Sequence, residues 1–449
     1  MKTAWRLLKP ILIYGSILIL VSLSGVAIIN TDVFDENLSP ELKTFLATAN
    51  KASDDENAYL NILGLDASSE RDPHTVGLKV VDLYHQKSIS DQPIQLSIDE
   101  HKDLYGETGL DESWQATYSE LSCHARRKYD CFMRLVRQVQ DKPITQQRLL
   151  LMIQRYEDTL LKTQFAESLE VDLSTPIPPY GLMVNLGRLK LAHSYVNDDT
   201  SIFLQNLSAN MQFWRNVLRN GQTLITKMIG IISIRNNLLA LSGFISQNEL
   251  SQTQLDQIKS LSRSLSKDEL DIREAMLGEL SFASSYLADY SGGIKSLFVQ
   301  ENASKNQYFE LKVLPVLARS AISAKELKVS QKDFANQHST EIDLSFPSIL
   351  YNPISKTLLS LSNTQAYDDY IGRVHDLDGM FTLIALQLQL KMQSKLPAQS
   401  VIQNSKFKNP YTGQPMDFDA NNGLLGFECF NPADVCQIFI QRSITEPAD

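Results

Sequence analysis

Leu224-Ile-Thr-Lys-Met-Ile-Gly-Ile-Ile-Ser-Ile-Arg-Asn-Asn-Leu-Leu-Ala-Leu-Ser-Gly-Phe-Ile245 decides the fold, because its length is that of a membrane span and its composition is not. A transmembrane helix needs about 20 mostly apolar residues. Lys227, Arg235, Asn236 and Asn237 interrupt this one, and each charge near a bilayer centre costs a few kcal/mol on insertion scales. The stretch therefore reads as the buried central helix of a bundle, with its cations paired or snorkelling at the edges. Lys227 and Arg235 are eight residues apart, about 12 Å along one helix and about 80° apart in rotation. They are candidate ligand or ion-pair cations: both would face one polar cavity and hold an anion, or pair with acids on neighbouring helices.

A second apolar run, Ile11 to Ile29, carries no charge at all. At about 1.5 Å of rise per residue it nearly crosses the roughly 30 Å hydrocarbon core. Lys2, Arg6 and Lys9 precede it and Asp32, Asp35 and Glu36 follow, so the positive-inside rule puts a short N-terminus in the cytoplasm and exports the rest. The rival reading is a cleaved signal peptide with a processing site at Ser22 or Ser24, although a typical secretory apolar region has only about 7 to 15 residues. Both readings export the body.

The body has the composition of a folded domain, with 43% hydrophobic residues in a chain of 449. Setting aside the three N-terminal cations takes the formal charge from -10 to about -13, which argues against nucleic acid and against anionic lipid as electrostatic partners. Four cysteines fall in two close pairs, Cys123 with Cys131 and Cys429 with Cys436. In an oxidising compartment that spacing predicts two local disulfides. A single straight helix would hold Cys123 and Cys131 about 12 Å apart, too far for a bond, so the first pair predicts a bend between two helices.

Apolar residues at helical spacing dominate the body. Two short helices are expected between residues 41 and 63, a helix or an edge strand over Val76 to His85, and a helical pair from Asp111 to Val139. A long amphipathic helix follows Pro143, with Leu149, Met152, Ile153, Tyr156 and Leu160 on one face. The segment Ser174-Thr-Pro-Ile-Pro-Pro-Tyr-Gly181 cannot continue a helix and marks the best internal boundary. Helices are expected over Leu182 to Val196, Ser201 to Arg219, Ser251 to Tyr290 with a break at Gly292-Gly293, Pro315 to Gln337 and Asn363 to Lys395. The tail differs: Asn409-Pro-Tyr-Thr-Gly-Gln-Pro415 is turn chemistry, Asn421-Asn422-Gly423 is a hairpin signal, and Leu424 to Cys429 and Cys436 to Arg442 read as strands. The expected fold is mostly α: a cytoplasmic N-terminus (1–10), a transmembrane anchor (11–29), an irregular helical ectodomain in two parts (30–175 and 176–400), and a small disulfide-closed β-hairpin cap (401–449).

No nucleotide-loop, zinc-protease, nucleophile-elbow or dinucleotide motif occurs, and no cofactor or metal is called for. Asp72-Pro-His74 sets a carboxylate two residues from an imidazole, a weak polar-site candidate whose plainer reading is a helix cap beside an exposed histidine. His375-Asp-Leu-Asp378 reads as a solvated helix face, His193 as a core histidine, and Phe213-Trp214-Arg215 as a packed aromatic anchor or a cation–π pair.

Asn57-Ala-Tyr-Leu-Asn-Ile-Leu-Gly-Leu-Asp66, followed by Asp72-Pro-His74 and Gly77, resembles the opening of a family of uncharacterised proteobacterial envelope proteins with a single N-terminal membrane anchor and a helical exported domain. Leu149-Leu150 with Arg155-Tyr156, Pro176 to Tyr180, Phe213-Trp214-Arg215 and Leu224 to Ile229 are similar to further blocks of it. The tail Asn409 to Phe427 resembles a hairpin that ends many helical envelope proteins. The resemblance implies an address, the inner membrane of a Gram-negative cell with the bulk of the chain in the periplasm, but brings no activity. The function expected is non-enzymatic binding of another envelope protein, by an assembly factor or by an immunity protein against a delivered toxin. The alternatives are a module holding a lipid, peptide or other small molecule in an apolar cavity lined by residues 213 to 245, and a hydrolase built on His74, Asp72 and distant acids.

Overall fold

The computed structural model describes residues 2–48, 51–88, 130–169, 171–172, 175–288, 298–337, 342–361, 366–432 and 434–440. Cys123, residues 111–129 of the first helical pair and the Gly292-Gly293 break lie outside them. The described chain is mostly helical, with one small antiparallel sheet at the C-terminal end. In chain order the helices are α1 (Lys2–Ile29), α2 (Pro40–Leu46), α3 (Ala58–Leu63), α4 (Pro73–Ser88), α5 (Cys131–Asp141), α6 (Gln147–Leu160), α7 (Tyr180–Asn197), α8 (Thr200–Asn220) and α9 (Leu224–Gln247). They continue as α10 (Gln252–Leu261), α11 (Lys267–Leu270), α12 (Arg273–Ala288), α13 (Glu301–Tyr308), α14 (Leu314–Ser320), α15 (Ala324–Gln337), α16 (Pro353–Leu361), α17 (Ala366–Met392) and α18 (Ala398–Asn404). The strands are β1 (Asp417–Asp419), β2 (Leu424–Phe427) and β3 (Cys436–Phe439).

The apolar helices α1 and α9 have different surroundings, and of the two only α9 is, among the described residues, long and apolar enough throughout to cross a membrane. In α9, 78% of the most apolar window is buried, and the helix packs against α8 on one side and α17 on another, with α5, α7 and α12 closing around it. Apolar side chains all round fit a helix with neighbours all round. In α1, Tyr14, Ile17, Leu20, Val21, Leu23 and Ile28 are exposed.

Local chemistry accounts for the remaining elements. Asp199 caps α8 through the amides of Ser201 and Ile202, and Ser251 caps α10 in a reciprocal box with Gln254. Val76 to His85, open between helix and strand on sequence, is helix. It lies backbone to backbone on α3: a Cβ on Gly77 would stand 1.9 Å from the Leu60 carbonyl oxygen, and one on Gly64 the same distance from that of Pro73. The helix expected from Pro315 begins earlier, at Glu301. Pro315 has no amide to donate, and the chain widens into a π turn over Phe309–Val313 before α14 resumes.

Pro176, Pro178 and Pro179 break the helix as their chemistry requires, yet the hydrophobic core is one cluster that runs from Leu42 to Ile438 across them, with α7 packed on α5 and α6. At the tail, β2 pairs with both neighbours, Phe418 opposite Leu425 and Gly426 opposite Gln437. The turn before β2 places Gly423 at φ 63°, a conformation glycine adopts without a Cβ penalty. Cys429 and Cys436 are joined, with Cα atoms 5.5 Å apart, and β3 lies against α9 and α17. Cys131 is buried at the start of α5.

Candidate functional site

The polar residues of α9 explain how so apolar a helix is held in place. Thr223 caps its N-terminus, and the Glu167 carboxylate sits there too, accepting from the Gln222 amide and from the hydroxyls of Thr223 and Thr226. An anion at that end is favoured by the helix dipole, although burial raises the Glu167 pKa. One turn on, Lys227 donates to the carbonyls of Leu218 (3.0 Å), Glu269 (3.2 Å) and Asp271. Leu218 lies in the last turn of α8, whose carbonyls have no partner within their own helix. Lys227 therefore ties α9 to the end of α8 and to the chain around α11. Burial lowers its pKa to about 8, against the opposing pull of Asp271 and Glu269.

Beside it sits a buried ion pair that sequence reasoning did not find. Arg215 meets Glu269 through two parallel bonds of 2.8 Å, Nε to Oε1 and Nη2 to Oε2. The same guanidinium donates to the carbonyls of Arg263 and Ser264 and lies 4.8 Å from the Phe381 ring centroid. Burial acts to raise the Glu269 pKa, but its bonds to Arg215 and the Ser266 amide prevail and hold it low. The signal that could have revealed it is Ser266-Lys-Asp-Glu269, a capping-box pattern that opens α11. The Phe213-Trp214-Arg215 group is thus divided: Phe213 and Trp214 pack edge to face in the core, the Trp214 indole donates to Tyr156, and the cation stacks on a ring from α17.

Arg235 does not share a cavity with Lys227. It lines a separate cleft of about 60 Å³ between α9 and α17, closed by the tail, together with Arg373, Asp376 and Asp434. Arg373 pairs with Asp434 at 3.5 Å. Asp376 accepts from the Tyr411 hydroxyl (2.6 Å) and the Phe430 amide (2.9 Å), which clasps the tail to α17. His375 and Asp376 are buried, so the solvated face expected at His375-Asp-Leu-Asp378 is corrected. The tail, far away in sequence, covers this side of α17. Burial pushes Asp376 up to about 6, partly offset by Tyr411 and Phe430. Asp378 points elsewhere and accepts from the Leu265 amide. The Asp376 carboxylate and the two tail sulfurs come within 4.8 Å of one another, but the sulfurs are bonded together, which removes the thiolates that would ligate a metal.

Asp72 and His74 are close together and occupied separately. Asp72 accepts from the Thr75 amide (2.8 Å) and hydroxyl (2.9 Å) at the start of α4, the cap expected of it. His74 is partly buried rather than exposed, with Nδ1 2.8 Å from the Asn61 side-chain oxygen. The turn around them is pinned by Arg155, whose guanidinium donates to the carbonyls of Leu65, Ala67, Ser68 and Arg71. The Asn57 to Gly77 block and Arg155 thus form one packed knot. Asn57 caps α3 and bonds the Ala166 carbonyl, Gly64 and Gly77 allow α3 and α4 to touch, and Arg155 closes the connection. His193 is partly buried on α7.

Comparison with family models, with curated proteins and with solved structures finds no match.

Proposed function

We propose that this chain is a membrane-tethered envelope protein whose helical body binds another protein, as an assembly factor or as an immunity protein against a delivered toxin. The observation that carries the reading is the contrast between α1, in which Ile13, Tyr14, Ile17, Leu20, Val21, Leu23 and Ile28 are exposed, and α9, whose apolar side chains are mostly covered. An unpartnered helix of this length and composition is accounted for by lipid. With Lys2, Arg6 and Lys9 at its start, α1 runs from the cytoplasm to the periplasm, and the joined Cys429 and Cys436 suit an oxidising compartment.

Binding of a protein is favoured over the alternatives by what the polar groups are doing. The cleft at Arg235 is about 60 Å³, well short of the roughly 300 Å³ at which small-molecule pockets begin. Asp72, on which a hydrolase would rest together with His74, is engaged as the cap on Thr75, and His74 is held through Nδ1 by Asn61, with its Nε2 buried and meeting no carboxylate among the described residues. The test is purification of the full-length chain from native membranes, identification of what co-purifies, and reconstitution from the two pure components. A stoichiometric protein complex that re-forms is expected. Recovery of a bound lipid or metabolite with no protein would overturn the reading.

A further inference from the structure

The junction between α1 and the body is built, and it leaves an apolar rim around the point where the helix ends. Asn30, buried one residue past α1, donates to the Leu350 carbonyl (2.8 Å) and accepts from the Asn352 amide (2.7 Å). Asn352 is itself fully buried and accepts from the Gln300 amide (3.0 Å). Five residues further on, Asp35 accepts from the amides of Asn302 (2.8 Å) and Ala303 (3.0 Å) at the N-terminus of α13. The Gln300 side chain reaches the Thr31 carbonyl, and the Tyr351 hydroxyl reaches that of Phe34. A linker meant to swivel would leave these groups to water. Here the exit of α1 is fixed to two separate parts of the body.

A fixed exit brings a particular surface down with it. Val33 and Phe34, in the 3-10 turn Asp32–Phe34, are 87% and 55% exposed, and Phe346, in the turn held against them through Leu350 and Tyr351, is 79% exposed. Leu344 beside it is exposed as well. A 3-10 turn rises about 2 Å per residue, which sets Phe34 within about 10 Å of the end of α1. The interfacial layer extends about 6 Å beyond the hydrocarbon on each side. At that limit Phe34 stands just outside the layer, within a side chain's length of it, and segments that lie on a bilayer bury Phe and Leu side chains about 5–10 Å into the headgroup boundary.

We infer that this rim, Val33, Phe34, Leu344 and Phe346 with Tyr351 among them, seats the body on the periplasmic leaflet of the bilayer that holds α1. The inference rests on the anchor reading given above. The occupant is lipid because Val33 and Phe34 follow within five residues of the end of α1 and the turn after Phe346 is bonded to that exit, and no cationic cluster is needed: the acids Asp343 and Glu36 flank it. Seating therefore holds in a zwitterionic bilayer. The body meets its partner in one fixed orientation, with the α13 and α16 end down.

The test uses the full-length chain in phosphatidylcholine vesicles, with and without lipid carrying a doxyl quencher near the headgroup. Phe346→Trp and Phe34→Trp report the rim, and Leu161→Trp, an exposed site outside it, is the control. Each signal is read as its difference from the parent chain. The account expects the rim indoles to shift to the blue and lose emission with the quencher, while the control indole keeps its emission. If the chains float with the vesicles and resist carbonate extraction but the rim indoles are not quenched, the seating is overturned and the anchor stands, leaving the rim to a protein. If the chains do not float, the anchor reading fails and takes the seating with it. Two rim variants guard against one that folds poorly.

Discussion

Glu269→Gln removes one charge from the most enclosed ion pair described. The substitution keeps the shape, but an amide offers a donor where Arg215 and the Ser266 amide both need an acceptor. Arg215 would be left buried and partly unpaired, with Arg219 and Arg263 at 3.6 and 3.7 Å from the same site. Breaking a buried pair from one side costs about 3–5 kcal/mol. With unfolding entropy of about 2.1 cal/mol/K per residue over a body of about 400 residues, each kcal/mol shifts Tm by about 1 °C, so a fall of about 3–6 °C is expected by calorimetry. Arg215→Met should cost less, because the carboxylate keeps the Ser266 amide and the partly exposed Arg219 and Arg263 can close on it. The sign with pH follows from a depressed Glu269 pKa: the wild-type advantage is full above the ordinary glutamate value of 4.5 and is lost as the pH falls through the lower folded value. A Glu269→Gln chain melting within about 1 °C of wild type at neutral pH, or an Arg215→Met chain melting well below it, would refute the reasoning.

Lys227→Met isolates the buried ammonium. The folded pKa of about 8 lies below the unfolded value near 10.5, so wild type should gain on the variant by about 3 kcal/mol as pH rises from 8 to 10.5; denaturant titrations along that range with no relative gain would count against a desolvated lysine. Asp376→Asn should keep the Tyr411 and Phe430 bonds while sparing the fold a buried charge. With Asp376 raised from 3.8 to about 6, wild type should lose about 3 kcal/mol relative to the variant between those pH values and nothing further above them, and a flat difference would show that the carboxylate is hydrated. Gly77→Ala should destabilise by at least about 2 kcal/mol because its Cβ meets the Leu60 carbonyl; an unchanged melt would mean that α3 and α4 do not touch there.

What was legible in the sequence followed from local chemistry. The Lys227 and Arg235 interruptions correctly kept Leu224 to Ile245 inside the protein, helix periodicity placed Leu149, Met152, Ile153 and Tyr156 in the core, and Asn421-Asn422-Gly423 turned the tail. What was missed depended on who the neighbours would be. Nothing near Asp376 in sequence says that Tyr411 and Phe430 will cover it, so a buried carboxylate read as a wet one. Lys227 and Arg235 share a face by helix geometry, but α8 and α11 reach one and α17 the other, which divides the single cavity that rotation angles suggested. The four carbonyls gathered by Arg155 have no side-chain signature at all, since an acceptor on the backbone is present at every residue.

The proposed tether requires that α1 meets lipid while α9, long and apolar enough to span a membrane, meets protein. The side of the membrane on which the chain emerges after each of them tests it directly. Full-length protein tagged before Met1 and after Asp449 would be probed by protease in intact cells and after the outer membrane is opened. The account predicts an N-terminal tag protected in the cytoplasm and a C-terminal tag cut from the periplasmic side, an odd number of crossings. Both tags on the same side would contradict it, because the chain would then cross an even number of times, either twice with α9 as a second span or not at all.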